Sequence, residues 1–331
     1  MSSTTNVRNS AVLVLGVMVG TLFAGNRAIS QDGSDVKTQI FNAWRERQKQ
    51  IKSVEFEWTQ VSELKYTADR QREAEAFLRQ PKLGDFYKKE QRSSLRLDGE
   101  RFDYRLDTTN GSPNYNPTGH RTAFDGNQAR YYSGTSRRGT VGSGIIRSEL
   151  PSFDINSIFI RPLILAYRAT HPRIGRLDEN SHRVLPDRYP VGDFSCIVLE
   201  EIGAGPFLRS YWVDPEHGFI VRRYQTTVEG RNDSRMDISY EQDSVHGWVP
   251  KVWTIINLDE NGDLRSSTVC TVTNFSINKT IPLKEFQLSF PPGTRVIDEV
   301  KGKKFISGGW HWFRQWAFGN AFLNNKGHDK G

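Results

Sequence analysis

The spacing of hydrophobic residues changes along the chain and divides it into helical and strand segments. In residues 34–52, apolar side chains such as Val36, Ile40 and Trp44 recur at the 3.6-residue period, which predicts an amphipathic helix. From Ser53 onward apolar and polar residues alternate instead, as in a half-buried strand. We therefore expect an N-terminal helix followed directly by a strand.

Alternating segments of 8 to 12 residues dominate the chain from Asp193 to Phe290, separated by Gly, Pro, Asn and Asp. Earlier alternating segments flank Asp98-Gly99 and Asp125-Gly126, which are hairpin turn signals. This spacing predicts a meander of antiparallel strands, as in a barrel or a sandwich. The predicted fold class is mainly β with helices (α+β).

A second helical pattern follows Asp154, with Ile158, Phe159 and Ile164 on one face. Pro162 falls inside it, so we expect a break, a kink or two short helices. Three polar stretches lack a clear period and are predicted to be loops: 65–92, 107–122 and 133–150, the first being either a long hairpin or a loop.

The first 30 residues have the order of a secretory signal peptide. Arg8 precedes a 14-residue apolar run from Ala11 to Ala24, and the small residues Ala28 and Ser30 occupy the two positions that a signal peptidase reads before Gln31. The run is shorter than the roughly 20 residues that span a bilayer. We expect cleavage before Gln31 and an exported, periplasmic or cell-envelope protein, with an uncleaved anchor as the alternative.

Charge and cysteine content limit which binding partners and which disulfide bonds we expect. The chain has 45 basic and 38 acidic residues, a formal net charge of +7, and no Lys/Arg run dense enough to indicate nucleic acid binding. The two cysteines, Cys196 and Cys270, lie in strand-like segments. An exported protein could form a disulfide between them, but two buried free thiols are the preferred interpretation.

Sequence signatures of catalysis are not found. Seven histidines are scattered without metal-ligand spacing, and neighbouring acids such as Glu200-Glu201 point to opposite faces of a strand. The charged stretch Asp214-Pro215-Glu216-His217-Gly218 is interpreted as a tight turn, because Pro fixes φ and Gly supplies a positive φ. We expect no enzyme, cofactor or metal, although a site assembled only in three dimensions remains open.

Four segments in order resemble the outer-membrane lipoprotein carrier and sorting family (LolA/LolB-like proteins). They are IKSVEFEWTQ (51–60), FDGNQARYY (124–132), YWVDPEHGFIVRR (211–223) and FQLSFPPGTRVIDE (286–299). Each motif alone is common, but four in the family order behind a signal peptide are more specific. Together they contain 46 of the 301 residues that follow residue 30.

The resemblance implies an incomplete antiparallel β-barrel covered by an N-terminal helix and a mid-chain helical lid. It also implies binding of lipoprotein acyl chains or another amphiphile in the barrel. The candidate ligand-binding residues, each of which could equally be ordinary core, are Phe56, Trp58, Phe102, Tyr104, Tyr131 and Trp212 in the strands and Ile158, Leu163, Ile164 and Tyr167 in the lid.

The chain also departs from the family. The family's Arg-Pro pair is not matched by Arg79-Gln80-Pro81, so no role is assigned to Arg79. The predicted organisation is a signal peptide at 1–30, a carrier-like barrel domain at 31–300 and an aromatic tail at 301–331. In the tail, Trp310, Phe313 and Trp316 share a helical face that packs on the barrel or contacts a membrane or a protein partner.

Three functions are consistent with the sequence. The first is an exported, non-catalytic protein that binds an amphiphile. The second is a structural or adaptor module of the cell envelope that uses the same fold as a scaffold, since fold alone does not define function. The third, least supported, is a hydrolase with an unrecognised site.

Overall fold

A computed structural model describes residues 33–65, 86–110, 119–134, 142–150, 157–203 and 205–308. Several predictions lie outside these residues: the signal peptide, Arg79, the start of the second helical segment at Asp154, and the tail residues Trp310, Phe313 and Trp316. The described chain consists of two α-helices, two short 3-10 helices and one large sheet.

The N-terminal helix, α1, spans Gly33–Gln50, as the apolar spacing predicted, and ends two residues earlier than expected. Ile40, Phe41 and Trp44 bury its apolar face. Acidic Asp35 lies in its first turn and basic residues lie in its last turn, the charge order that the helix dipole favours.

The fifteen strands are β1 Ser53–Lys65, β2 Phe86–Asp98, β3 Arg101–Asn110, β4 His120–Phe124, β5 Ala129–Ser133, β6 Ser143–Arg147, β7 His182–Val191, β8 Phe194–Glu201, β9 Phe207–Asp214, β10 Ile220–Val228, β11 Arg231–Asp243, β12 Gly247–Leu258, β13 Leu264–Ile277, β14 Arg295–Asp298 and β15 Lys303–Ile306. The 3-10 helices are Glu179–Ser181 and Leu283–Phe286.

All strands belong to one sheet, in the order β15-β14-β6-β5-β4-β3-β2-β1-β13-β12-β11-β10-β9-β8-β7. Neighbours are antiparallel except for the parallel pair β14 and β6. Within the described residues the end strands β15 and β7 are not joined, so the sheet is open. The predicted antiparallel meander and incomplete barrel are therefore confirmed.

The charged segment at 65–92, predicted to be a long hairpin or a loop, contains the start of β2, which pairs with β1 as a hairpin from Lys65 and Phe86 onward. Two other local predictions were wrong. β6 lies inside a stretch predicted to be a loop. The last strand of the meander ends at Ile277 rather than near Phe290. β6 is only five residues long and pairs with a strand about 150 residues away. Periodicity over so short a stretch does not reveal a partner so distant.

The second helix, α2, spans Arg161–Tyr167 and is buried along its whole length. Pro162 lies in its first turn, where a missing N–H removes no helical hydrogen bond, so the helix begins at this point instead of continuing through it. Neither α1 nor α2, the helices of the described part, has the length and hydrophobicity that a membrane crossing requires.

The sheet has two distinct faces. We call the face that packs on α2 the inner face, because the Tyr167 ring of α2 lies 5.6 Å from the Phe56 ring of β1. The other is the outer face. Near β3 to β6 it is covered by the segment that includes Phe286 and Leu288, both buried, and the Arg130 guanidinium donates to the Leu288 carbonyl at 2.9 Å.

A buried carboxylate organises this part of the outer face. Asp103 on β3 is fully buried and accepts hydrogen bonds from Arg121 Nε at 2.6 Å, Arg105 Nε at 3.0 Å and Arg96 Nη1 at 3.2 Å. Arg121 also donates to the Glu285 carbonyl at 2.8 Å. The carboxylate thus holds together three strands and the C-terminal segment.

Replacement of Asp103 by Asn should lower the free energy of unfolding by about 2 kcal/mol, because three partly buried guanidinium groups lose their common counter-charge. Urea unfolding followed by far-UV circular dichroism measures the change. Asp237→Asn is the matched control, since its carboxylate also pairs with two arginines but is one-third exposed, and it should cost less than about 1 kcal/mol. Equal losses in the two variants would contradict the role given to Asp103.

Candidate functional site

The strand register carries inner-face positions across the sheet in continuous rows, because directly paired residues of neighbouring strands point to the same face. We call one of these the central row; its members, from β1 through β2, β3, β4, β5 and β6 to β14, are Phe56, Leu95, Tyr104, Thr122, Tyr131, Ile145 and Ile297.

Exposure increases along the central row. Phe56, Leu95, Tyr104 and Thr122 are buried, Tyr131 and Ile145 are half-buried, and Ile297 is 43% exposed. The inner face is therefore filled at β1 to β4 and open at β5, β6 and β14. We call this second region the open half.

The rows on either side of the central row differ in polarity. On one side lie Leu97, Phe102, Phe124 and Ala129, all buried and apolar. On the other side lie Ser93, Leu106, His120, Ser133 and Ser143, which form a mostly polar row. The inner face thus changes from apolar to polar along the strands, from one row to the next.

α2 packs on the inner face at β10 and β12 and reaches Phe56 of β1 through Tyr167. Its Leu163 and Ile164 side chains are fully buried, and Arg161 Nη2 donates to the Tyr211 hydroxyl of β9 at 3.2 Å. A short helix that is apolar all round is stable only when buried on all sides. The predicted mid-chain helical cover is therefore present as an inserted core element.

Arg168, which follows α2, fixes the position of this helix. Its guanidinium donates to the carbonyls of Ile51 at 2.9 Å, Tyr167 at 2.8 Å and Lys52 at 2.5 Å. Burial lowers the pKa of Arg168 to about 10, which leaves the side chain charged at neutral pH. One cation thus joins the end of α2 to the connection between α1 and β1.

A series of stacked and tilted rings crosses the inner face from the filled part to the open half. Successive ring centroids are 5.6 Å apart from Trp253 to Trp58, 6.2 Å from Trp58 to Tyr104, 5.9 Å from Tyr104 to His120 and 4.8 Å from His120 to Tyr131. We call these five residues the aromatic ladder. Its first three members are buried, and its last two are half-buried.

Polar atoms at the buried end of the ladder lack hydrogen-bond partners within the described structure. They are Trp58 Nε1, Trp253 Nε1, the Tyr104 hydroxyl and Gln60 Oε1. Gln60 Nε2 donates to Ser93 Oγ at 2.5 Å. Buried polar groups without partners are rare in folded proteins and require an explanation.

The predicted ligand-binding residues are mostly brought together. Phe56, Trp58, Phe102, Tyr104, Leu163, Ile164 and Tyr167 lie in the buried core, Ile158 packs against it, and Tyr131 lies in the open half. Trp212 is the exception. It lies on the outer face beneath the Arg223 guanidinium, because its neighbours Tyr211 and Val213 occupy the inner positions of β9.

Sequence reasoning did not identify four residues that lie on this part of the inner face: Gln60, Trp253, Ile145 and Ile297. Gln60 continues the alternation of Phe56 and Trp58, so strict parity could have identified it despite its polarity. Trp253 likewise alternates with outward residues of β12. The positions of Ile145 and Ile297 beside each other result from the parallel pairing of β6 with β14, for which the sequence carries no local signal.

The charged stretch at 214–218 forms a tight turn, as predicted. Asp214 accepts hydrogen bonds from the Glu216 amide at 3.0 Å, His217 Nδ1 at 2.7 Å and Arg222 Nε at 2.9 Å. The turn and the similar Asp243–Gly247 turn border a pocket of about 420 Å³ beside α1. Because the Asp214 carboxylate is occupied by its own turn and Arg222, it has a structural role.

Metal and disulfide chemistry can be assessed for the described chain only. No three His, Cys, Asp or Glu side chains in it come together as metal ligands. Cys196 and Cys270 are both buried and free, so the interpretation as two separate thiols is confirmed.

Comparison with known proteins gives structural similarity without sequence similarity. No protein family matches the sequence. No curated protein matches it either. Similar solved structures include a putative outer membrane lipoprotein-sorting protein domain from Vibrio parahaemolyticus, with 11% identity, a TM-score of 0.47 and coverage of 76% of this chain and 97% of that one.

Two further solved structures are similar to this chain to a comparable degree. A LolA superfamily protein from Nitrosomonas europaea has 11% identity, a TM-score of 0.44 and coverage of 76% of this chain and 97% of that one. A DUF1329 family protein from Desulfovibrio piger has 10% identity, a TM-score of 0.46 and coverage of 77% and 95%. Two of these three structures, from Vibrio parahaemolyticus and Nitrosomonas europaea, bear the names of the lipoprotein-sorting and LolA proteins that the four motifs resemble.

Replacement of Arg168 by Lys should lower the free energy of unfolding by about 2 kcal/mol. An ammonium group cannot reproduce the fork that reaches three carbonyls, and at least one of them would be left unpaired. Urea unfolding measures the loss. Arg176→Lys is the control, since Arg176 is exposed and its guanidinium donates to one carbonyl of the described chain, that of Arg173, and it should change stability by less than about 0.5 kcal/mol. An Arg168→Lys variant as stable as this control would show that Arg168 does not hold α2.

Proposed function

We propose that this chain is an exported, non-catalytic binding protein that holds an amphiphile, such as a lipid or a lipoprotein acyl chain, on the open half of its inner face. The observation that carries the proposal is the exposure gradient along the central row. The row is continuous in register, but α2 covers only part of it, and the uncovered part presents Tyr131, Ile145 and Ile297.

The polarity of the adjacent rows supports an amphiphile over a purely apolar ligand. A hydrocarbon chain along the central row would contact aromatic and aliphatic side chains on one side. On the other side it would face the polar row, represented in the open half by His120, Ser133 and Ser143. Apolar sites with a few well-placed polar groups are typical of small-molecule binding in proteins.

The signal peptide predicted from residues 1–30 supports a carrier role in the cell envelope, where an acyl chain needs protection from water. The side chains that form the open half suit binding better than proton transfer, because they are mainly aromatic, aliphatic and hydroxyl groups. An adaptor function would use the same sheet as a rigid support, and the binding experiment distinguishes the two.

The double variant Ile145→Gln, Ile297→Gln should bind a fluorescent fatty acid analogue about tenfold more weakly or worse than the unmodified chain. Two cross-strand aliphatic contacts with the hydrocarbon would be lost, each worth about 1 kcal/mol. Fluorescence titration and displacement by unlabelled monoacylglycerol measure the affinity.

The matched control is Val61→Gln, Val269→Gln. Val61 and Val269 also face each other across two strands and are 42% and 40% exposed, but they lie on the outer face. This variant should bind as the unmodified chain does. Absence of binding to the unmodified chain, or equal weakening in both variants, would refute amphiphile binding on the open half and favour the adaptor function.

A further inference from the structure

The exposed surface of the open half continues onto the edge strand β15. The register of β14 with β15 places Lys304 opposite Ile297 and Ile306 opposite Arg295, and residues paired in this way point to the same face of the sheet. Ile297 and Ile306 are 43% and 40% exposed. The inner face therefore presents aliphatic side chains to solvent as far as the edge of the sheet.

The outer face of the same strands is covered. Val296 and Asp298, which alternate with Ile297 along β14, are buried. On β6, Gly144 lies so close to the Phe290 ring that a Cβ atom at this position would come within 2.5 Å of it. The segment before β14 thus covers the outer face, whereas aliphatic side chains of the described inner face stay exposed.

Residues 309–331, which we call the aromatic segment, begin at this edge. The Ser307 amide donates to the Thr294 carbonyl at 2.9 Å, and the Gly293 amide donates to the Ser307 carbonyl at 2.8 Å, so the chain is bonded to the sheet up to Ser307. Gly308 has a φ of +89°, which glycine adopts readily and other residues rarely do. The chain therefore leaves the extended conformation next to the open half.

The composition of the aromatic segment suits an apolar surface. Six aromatic residues lie within 13 positions: Trp310, Trp312, Phe313, Trp316, Phe318 and Phe322. A helix over residues 309–323 would be about 22 Å long, and the four strands β5, β6, β14 and β15 span about 14 Å at their usual spacing. The aromatic segment is thus long enough to cross the whole open half.

The charges around Ile297 also suit aromatic rings. Lys304 lies opposite Ile297, and Arg295 lies two residues before it on the same face of β14. Cations beside an apolar surface attract the faces of tryptophan rings. The inner face at β14 and β15 therefore combines the two kinds of contact that tryptophan makes best, aliphatic and cationic.

Other parts of the chain outside the described residues lack this composition. Segments 66–85, 111–118, 135–141 and 151–156 contain two Phe and no Trp between them. Eight of the 20 residues in 66–85 are charged. Position and composition together thus favour the aromatic segment as the occupant of this surface.

We propose that the aromatic segment lies across the open half in the unligated protein and packs its rings on Ile145, Ile297 and Ile306. This cover is independent of the function proposed above. Its consequence rests on that function: an amphiphile reaches the open half only by displacing the aromatic segment, so the two compete for one surface.

Thiol labelling of the full chain tests the cover without any ligand. The thiol introduced by Ile297→Cys should react with a water-soluble maleimide about tenfold faster once the triple change Trp310→Gln, Phe313→Gln, Trp316→Gln has removed the rings that protect it. Thermal unfolding checks that each variant is folded cooperatively.

The chain offers matched controls for the labelling. Val61→Cys is equally exposed but lies on the outer face, so its rate should be the same with and without the triple change. Asn324→Gln, Asn325→Gln alters the aromatic segment but keeps its rings, and should leave the Ile297→Cys thiol protected. The native Cys196 and Cys270 are buried, and burial raises the pKa of both thiols, which keeps them unreactive.

Titration with the fluorescent fatty acid analogue tests the competition. The triple Gln variant should bind it about tenfold more tightly than the unmodified chain, because the apparent Kd is the intrinsic Kd divided by the fraction of chains that are uncovered. The gain in affinity should therefore match the gain in labelling rate.

The outcomes separate the cover from the proposed function. Equal labelling of Ile297→Cys with and without the triple change would overturn the cover. Protection that appears only at high protein concentration, or only when phospholipid vesicles are added, would also overturn it, since the occupant would then be a second copy or a membrane. If neither chain binds the analogue, amphiphile binding fails and the labelling result stands. If both bind it equally although labelling shows protection, the competition is overturned.

Discussion

The hydrogen-bonded register of the sheet is the constraint on which the rest of the structure depends. Side chains alternate between faces with a period of two, so a slip of one residue in any strand would turn its buried set outward. From β1 to β14 the register instead keeps Phe56, Tyr104, Tyr131 and Ile297 in one inner row. The buried core and the open half are successive parts of this row, and the aromatic ladder meets it at Tyr104 and Tyr131.

Two buried ionic groups support the row from different sides. Asp103 holds three arginines on the outer face of β2, β3 and β4, directly behind the central row. Arg168 satisfies the carbonyls at the end of α2 and before β1, which keeps the helix inserted over part of the inner face.

The sequence was sufficient where the structural signal is local. The 3.6-residue period predicted α1. Alternation and turn residues predicted β1 and the meander from β8 to β13, because these strands pair with strands next to them in the chain or nearly so. It was insufficient where partners are distant or parity is ambiguous. β6 pairs with β14, which lies about 150 residues further along the chain. Trp212 was assigned to the inner face from its size, although its neighbours Tyr211 and Val213 occupy the inward positions of β9. Gln60 and Trp253 come close only because β1, β13 and β12 lie side by side in the sheet. The pattern of a single segment could therefore not predict that their polar atoms lack partners.

Native mass spectrometry of the protein purified from its own cell envelope tests the central claim most directly. An amphiphile on the open half predicts a population of chains that carries one bound molecule, whose fragmentation shows a polar group linked to a hydrocarbon chain. Unligated polypeptide alone, under conditions that retain added monoacylglycerol on the same protein, would contradict the account and leave the inner face as the core of a structural module.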